Sequence, residues 1–145
     1  MELTFNNPAH SKLGKQALFK SLLTHAASLL VLPDNCGLSI NLVSANQIRQ
    51  LNRQHRGHNQ ATDVLSFPLQ KPFNISKLKS GAILELGDIF ICPAYLQQHQ
   101  DPTVAGPRQQ LMRLVIHGLL HLLGYDHAVD SVQAKTMFTL EKKNF

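Results

Sequence analysis

Three histidines in HGLLHLLGYDH, residues 117 to 127, stand four and then six positions apart. Side chains four apart on a helix share one face, with Cβ atoms about 5–6 Å from each other. Two imidazoles so placed can hold one metal ion at nitrogen–metal distances of about 2.1 Å. Gly124 lies where a helix ending just after His121 needs a left-handed residue, and a sharp turn there can carry His127 to the same ion. Three neutral nitrogen donors with no neighbouring cysteine suit one Zn²⁺ per chain. The fourth position is left for water, as in catalytic rather than structural sites.

The spacing His-x-x-x-His-x-x-Gly-x-x-His resembles the metzincin protease pattern with one departure, Gly118 in place of the glutamate that serves as general base. The peptidase reading loses its base, whereas the metal reading keeps its ligands. A three-histidine zinc ion lowers the pKa of bound water to about 7, so a hydroxide nucleophile can form without a dedicated strong base. Asp126 is the remaining ionisable group inside the motif. Its first-ranked role is to orient a ligand histidine, because ligating imidazoles usually donate their other N–H to a carboxylate or carbonyl. Accepting a proton from the water and capping the turn are the alternatives.

These residues need a rigid support, and the sequence supplies one. From about Arg108 to Leu123 a helix is apolar nearly all round, as buried helices are, except for the stripe Gln109, Arg113, His117, His121. A lone histidine in such a helix is more often a core residue bonded to backbone than a ligand. Two on the only polar stripe, with a third beyond a glycine turn, favour the metal. Upstream, apolar residues at helical spacing predict a first helix between Ser11 and Leu32, ended by Pro33. Leu38, Ile40 and Leu42 alternate with polar residues as a half-buried strand does. Ser44 followed by Gln47 is a capping-box signature for a second helix with Ile48 and Leu51 inward. Val64, Leu65 and Phe67 suggest a strand closed by Pro68, LGDIFIC a further strand, and Pro93 the first residue of a short helix. The polar, basic segment QKPFNISKLKSG reads as a surface loop, and Asp130 as the cap of a last helix bearing Ala134, Met137, Phe138 and Leu140. The fold class is therefore α/β: a single domain over residues 1–145 with one mixed sheet of about four strands and about five helices. The metal site belongs at the C-terminal end of the buried helix.

With 145 residues, 43% of them hydrophobic, and no apolar run of about 18 residues, the chain has the makings of one globular core and no membrane span. The N-terminal stretch lacks a secretory pattern, and two cysteines, Cys36 and Cys92, make no disulfide framework, so a reducing cytoplasm is expected. Charge is unevenly distributed. Residues 1–79 carry nine Lys/Arg against three Asp/Glu, and residues 80–145 five against six. The basic half favours a polyanionic partner over an acidic small molecule, with a solvated basic face as the bland alternative. Arg49, Arg53 and Arg56 recur at helical spacing and can line one stripe if the second helix persists to Gly57. Ser66 lies in a strand signal rather than a nucleophile elbow, so a hydrolase triad is set aside.

HGLLHLLGYDH, LNRQHRGHNQATDVLSFPL and LGDIFICP, in their order and separations, resemble the YbeY family of rRNA maturation factors over most of the chain. The resemblance implies a metal-dependent endoribonuclease acting on single-stranded RNA in small-subunit rRNA processing and ribosome quality control. Small-subunit proteins or an assembly GTPase are possible partners. It places metal ligands at His117, His121 and His127, a functional arginine at Arg56, and a substrate groove at Asp63–Pro68; with the basic stripe, the expected RNA contacts are Arg49, Arg53, Arg56 and Ser66. Arg56 and His117 are then the catalytic pair. An always-protonated guanidinium can stabilise charge on the phosphate, although an arginine at a helix C-terminus can equally serve the helix dipole. Attack could come from metal-activated water or from the ribose 2′-hydroxyl. His55 and His58, beside Arg56, read as surface residues or RNA contacts. The C-terminal MFTLEKKNF is more basic and shorter than the acidic helix common in the family. A zinc-stabilised, non-catalytic RNA-binding assembly factor is the competing reading, and an open coordination position separates the two.

Overall fold

Four stretches of alternating residues pair into one mixed sheet in the computed structural model, which describes residues 1–12, 15–69, 83–103 and 106–125. The strands are β1 (Glu2–Asn6), β2 (Cys36–Leu42), β3 (Val64–Pro68) and β4 (Leu84–Ile91), in the order β1-β2-β4-β3. β1 runs parallel to β2 and β2 to β4, whereas β3 is antiparallel to β4 and occupies an edge. The sheet has the four strands expected, and β1 is the one for which the sequence analysis names no residues. Its signal is the alternation of half-buried Leu3 and Phe5 with exposed Glu2, Thr4 and Asn6.

The helices are α1 (Gln16–Leu29), α2 (Ala45–Arg56), α3 (Pro93–Gln98) and α4 (Pro107–Leu122). α1 and α4 cover one face, where Phe19 and Leu23 meet Leu38, Ile40, Ile89 and Ile91 along with Leu119 and Leu120. Each fully buried side chain of this size contributes about 1.5–3 kcal/mol. α2 covers the other face over β3 and β4, with Ile48 against Leu65, Val43 and Cys92, and Phe67, Phe90 and Tyr95 packed around them. The rest of that face is polar: Asn6 donates to Asn41, Asn41 to Ser39, and Ser39 to Asp88. Cys36 and Cys92 are fully buried, and burial pushes the Cys36 thiol up, which agrees with a structural role.

Local signals explain most boundaries. Ser44 Oγ accepts from the Gln47 amide at 3.2 Å and Gln47 Oε1 from the Ser44 amide at 2.9 Å, completing the expected capping box. α2 ends at Gly57, whose φ of 72° is left-handed, so all three arginines lie on its exposed surface. β4 carries a bulge opposite Leu38, with Gly37 paired to Glu85 and Ser39 to Asp88, so Leu86 and Ile89 both turn inward. At Gly87 (φ 141°) a Cβ would stand 2.2 Å from the Phe67 carbonyl oxygen, so only glycine lets β3 pair here. The first helix is shorter at both ends than the expected Ser11–Leu32. It stops before Pro33 because the Val31 amide donates to Ser28 and the Leu32 amide to Ala27, a Schellman closure with Val31 in the left-handed position. Among the described residues there are four helices; the expected fifth, with the loop at 70–81, lies outside them. No helix among the described residues is long and apolar enough to cross a membrane.

Val31 is β-branched, has φ 55° and is 84% exposed, so it bears left-handed strain without packing in return. That strain amounts to about 1–2 kcal/mol, whereas glycine adds up to about 1 kcal/mol of unfolded-chain entropy. Val31→Gly is expected to raise Tm by about 2 °C in a thermal melt, and a lower Tm would show that the turn is unstrained.

Candidate metal centre

α4 is fixed by its apolar surface, and this fixes its histidines. Leu111, Val115, Leu119, Leu120 and Leu122 are buried, and Gly118 sits directly against the sheet: a Cβ there would lie 2.9 Å from Ile89 Cδ1 and 3.1 Å from Ser66 Oγ. His117 and His121, one turn apart, are half-buried on the same side of the helix. Their Nε2 atoms approach to 3.0 Å and their rings meet edge to face with centroids 4.4 Å apart. A tetrahedral ion about 2.1 Å from each nitrogen would hold the pair about 3.4 Å apart, so opening it by a few tenths of an ångström suffices. The donor chemistry and the geometry both fit zinc.

Beyond His121 the helix closes on Gly124. Its amide donates to His121 O and the Tyr125 amide to Leu120 O, both at 3.0 Å, with Gly124 at φ 94°. This is the left-handed turn that the sequence required to redirect the chain. His127 and Asp126 lie outside the described residues. Among the described residues no third His, Cys, Asp or Glu completes a ligand set. One turn before His117 on the polar stripe, Arg113 lies 3.9 Å from Asp101, whose carboxylate is held below its usual range chiefly by hydrogen bonds from Thr103 and to a lesser degree by Arg113.

Position 118 takes on a different meaning in this setting. Read from sequence it is a missing general base; in the fold it is the contact that seats α4 on β3 and β4, where a glutamate side chain would have to enter the sheet. A glutamate at 118 would first have to displace Ile89 and the Ser66 hydroxyl.

β3 separates the histidine pair from the basic helix. Ser66 faces Gly118, whereas Leu65 and Phe67 face α2, in the strand alternation of period two. His55 lies against Phe67, ring centroids 4.8 Å apart. Arg49, Arg53 and Arg56 are exposed, and among the described residues none of them is in an ion pair. Arg56 opens onto a cleft of about 440 Å³ together with His58, Gln60, Tyr95 and His99. Its floor is held by Asn52, 4% exposed, which donates to the Gln60 carbonyl at 2.9 Å. The structure thus brings Ser66 beside α4 and gathers Arg56 with His58, while no hydrogen bond, ion pair or ring contact joins Arg56 to His117 or His121 among the described residues. Asn52, Tyr95 and His99 were missed in the sequence. The signal for the last two was their spacing of four, which places rings together on a helix.

The family model described as Endoribonuclease YbeY matches residues 5–145. The chain is similar to the endoribonuclease YbeY of Persephonella marina, with 34% identity over 94% of this chain and 88% of the relative. That of Lacticaseibacillus casei is 35% identical over 87% and 82%. A solution structure of a Thermotoga maritima protein superposes with a TM-score of 0.65 at 29% identity, covering 98% of this chain and 85% of the other.

Gly118→Ala sets a helix-propensity gain of about 1 kcal/mol against overpacking of about 1–3 kcal/mol. Denaturant unfolding is expected to show a net loss of stability that Ile89→Val partly restores by removing the nearest methyl. Additive losses in the double variant would contradict the contact.

Proposed function

The chain belongs to the endoribonuclease YbeY family, and from that premise we propose that it is a zinc-dependent, single-strand-specific endoribonuclease of rRNA maturation and small-subunit quality control. The observation that carries the reading is the convergence of two imidazole nitrogens to 3.0 Å beside a left-handed turn that leads towards a third histidine. His117, His121 and His127 would hold the ion, with Asp126 orienting one of them. A bound zinc ion supplies a Lewis acid that lowers the pKa of water and neutralises phosphate charge.

The chain's own residues do the rest. α4 is seated on the sheet through Gly118 and holds His117 and His121 one turn apart on one side, so that pair of ligands would be preorganised. The arginines of α2 attract the polyanion, and Arg56 donates to phosphate oxygens as negative charge builds on them. Ser66, on the edge strand, lies where an RNA strand crossing from α2 to α4 would pass. Either a water or the ribose 2′-hydroxyl could attack. Ribosomal small-subunit proteins or an assembly GTPase would be partners in a cytoplasmic setting.

A second reading, a non-catalytic zinc-stabilised assembly factor that binds RNA, is favoured by one observation: Arg56 and the histidine pair flank β3 without touching among the described residues.

Metal content per chain and cleavage of a single-stranded RNA, measured in nuclease-free preparations, separate these readings. His121→Ala is expected to lose the metal and the cleavage together. Arg56→Ala is expected to keep the metal and lose about 10²–10³-fold in rate, the usual cost of one oxyanion donor. Equal cleavage by wild type and His121→Ala would overturn the catalytic-metal assignment, and bound metal without cleavage by any form would establish the assembly-factor reading.

A further inference from the structure

The cleft beside Arg56 has features that metal chemistry does not need. Tyr95 and His99 lie in a parallel stack, with centroids 3.9 Å apart and planes 12° from each other. The His99 ring is fixed by Nδ1 donating to the Tyr95 carbonyl at 3.0 Å, and its own carbonyl accepts from Gln110. Tyr95 is half-buried in the α2-side cluster and covers one face of His99, which is itself exposed. The cleft has no carboxylate among its lining residues, and Arg56 and His58 stand across it. Its polar floor is anchored by the buried Asn52.

A planar ring stacked on a half-buried tyrosine, a guanidinium in the same cleft and about 440 Å³ of space match one ligand class, a nucleotide within a single strand. We infer that this α2–α3 cleft is a nucleotide subsite: one base stacks on the outer face of His99, extending the Tyr95–His99 pair, while the adjoining phosphate is taken by Arg56. The inference rests on RNA being the substrate class. It places Arg56 on a phosphate of the bound strand on the α2 side of β3, and it explains how an arginine across that strand from the histidine pair can act on the same RNA. The strand is anchored on the α2 side and crosses the edge of β3 to reach α4. Because stacking is tolerant of base identity, the subsite favours unpaired RNA over any particular sequence.

The test uses the full chain with a single-stranded RNA carrying 2-aminopurine, whose fluorescence falls on stacking, followed by stopped flow before cleavage and then by cleavage assay. His99→Gln and His99→Ala are expected to lose the quench, to bind about tenfold more weakly and to show raised KM with kcat largely kept. His99→Phe, which restores an aromatic plane without the Nδ1 bond, is expected to recover both quench and binding, with unfolding midpoints confirming that all variants fold. Wild-type quench and KM in His99→Gln, with RNA still cleaved, would overturn the subsite and leave the endoribonuclease reading intact. A quench that depends on His99 without cleavage by the wild type would keep the subsite and remove the nuclease. No binding of single-stranded RNA by the wild type would remove both.

Discussion

The close approach of α4 to the β3–β4 edge is the constraint on which the other arrangements depend. It exists because residue 118 has no side chain: Ile89 and the Ser66 hydroxyl occupy the space that a Cβ would need. A helix that is apolar on nearly every side finds a unique rotational setting only where one position is smaller than the rest, and shape complementarity then supplies what hydrophobicity cannot. Once Gly118 is against the sheet, Leu119 and Leu122 must face the core, and His117 and His121 must share the remaining side. The two histidines are placed by a residue that has no side chain of its own.

The same geometry resolves the apparent contradiction of polar groups on a buried helix. Burying imidazoles costs free energy unless their nitrogens are satisfied. Here the cost is limited by half-exposure and by the mutual N–H···N contact between Nε2 atoms. An ion taken between them would replace a weak neutral hydrogen bond by two coordinate bonds, with little movement of either ring.

Legibility from sequence followed the range of the interaction. The capping box at Ser44, the left-handed glycine at Gly124 and the histidine spacing are all set within a few residues, and each could be read directly. The strand signals of β2, β3 and β4 were also plain. β1 is only five residues long, and its pairing with β2 links residues some 35 apart, so its short alternation of Leu3 and Phe5 with polar residues is a weak local signal. The meaning of Gly118 depended on what stands opposite, which is a tertiary fact, and so did the gathering of Asn52, Gln60 and His99 around one cleft from three segments. Val31 adopting the turn position that Gly124 fills at the end of α4 shows the reverse case, where tertiary placement overrides a local preference.

Gly87 bears on how this protein can change over evolutionary time. Its contact with the Phe67 carbonyl fixes the edge strand, and through that strand both Ser66 against α4 and Phe67 against α2. The histidine face and the arginine face consequently cannot drift independently: an alteration of β3 moves both at once. A substitution that reshapes β3 therefore acts on the contacts of Ser66 and Phe67 together, and the spacing between the two faces changes as a single unit or not at all.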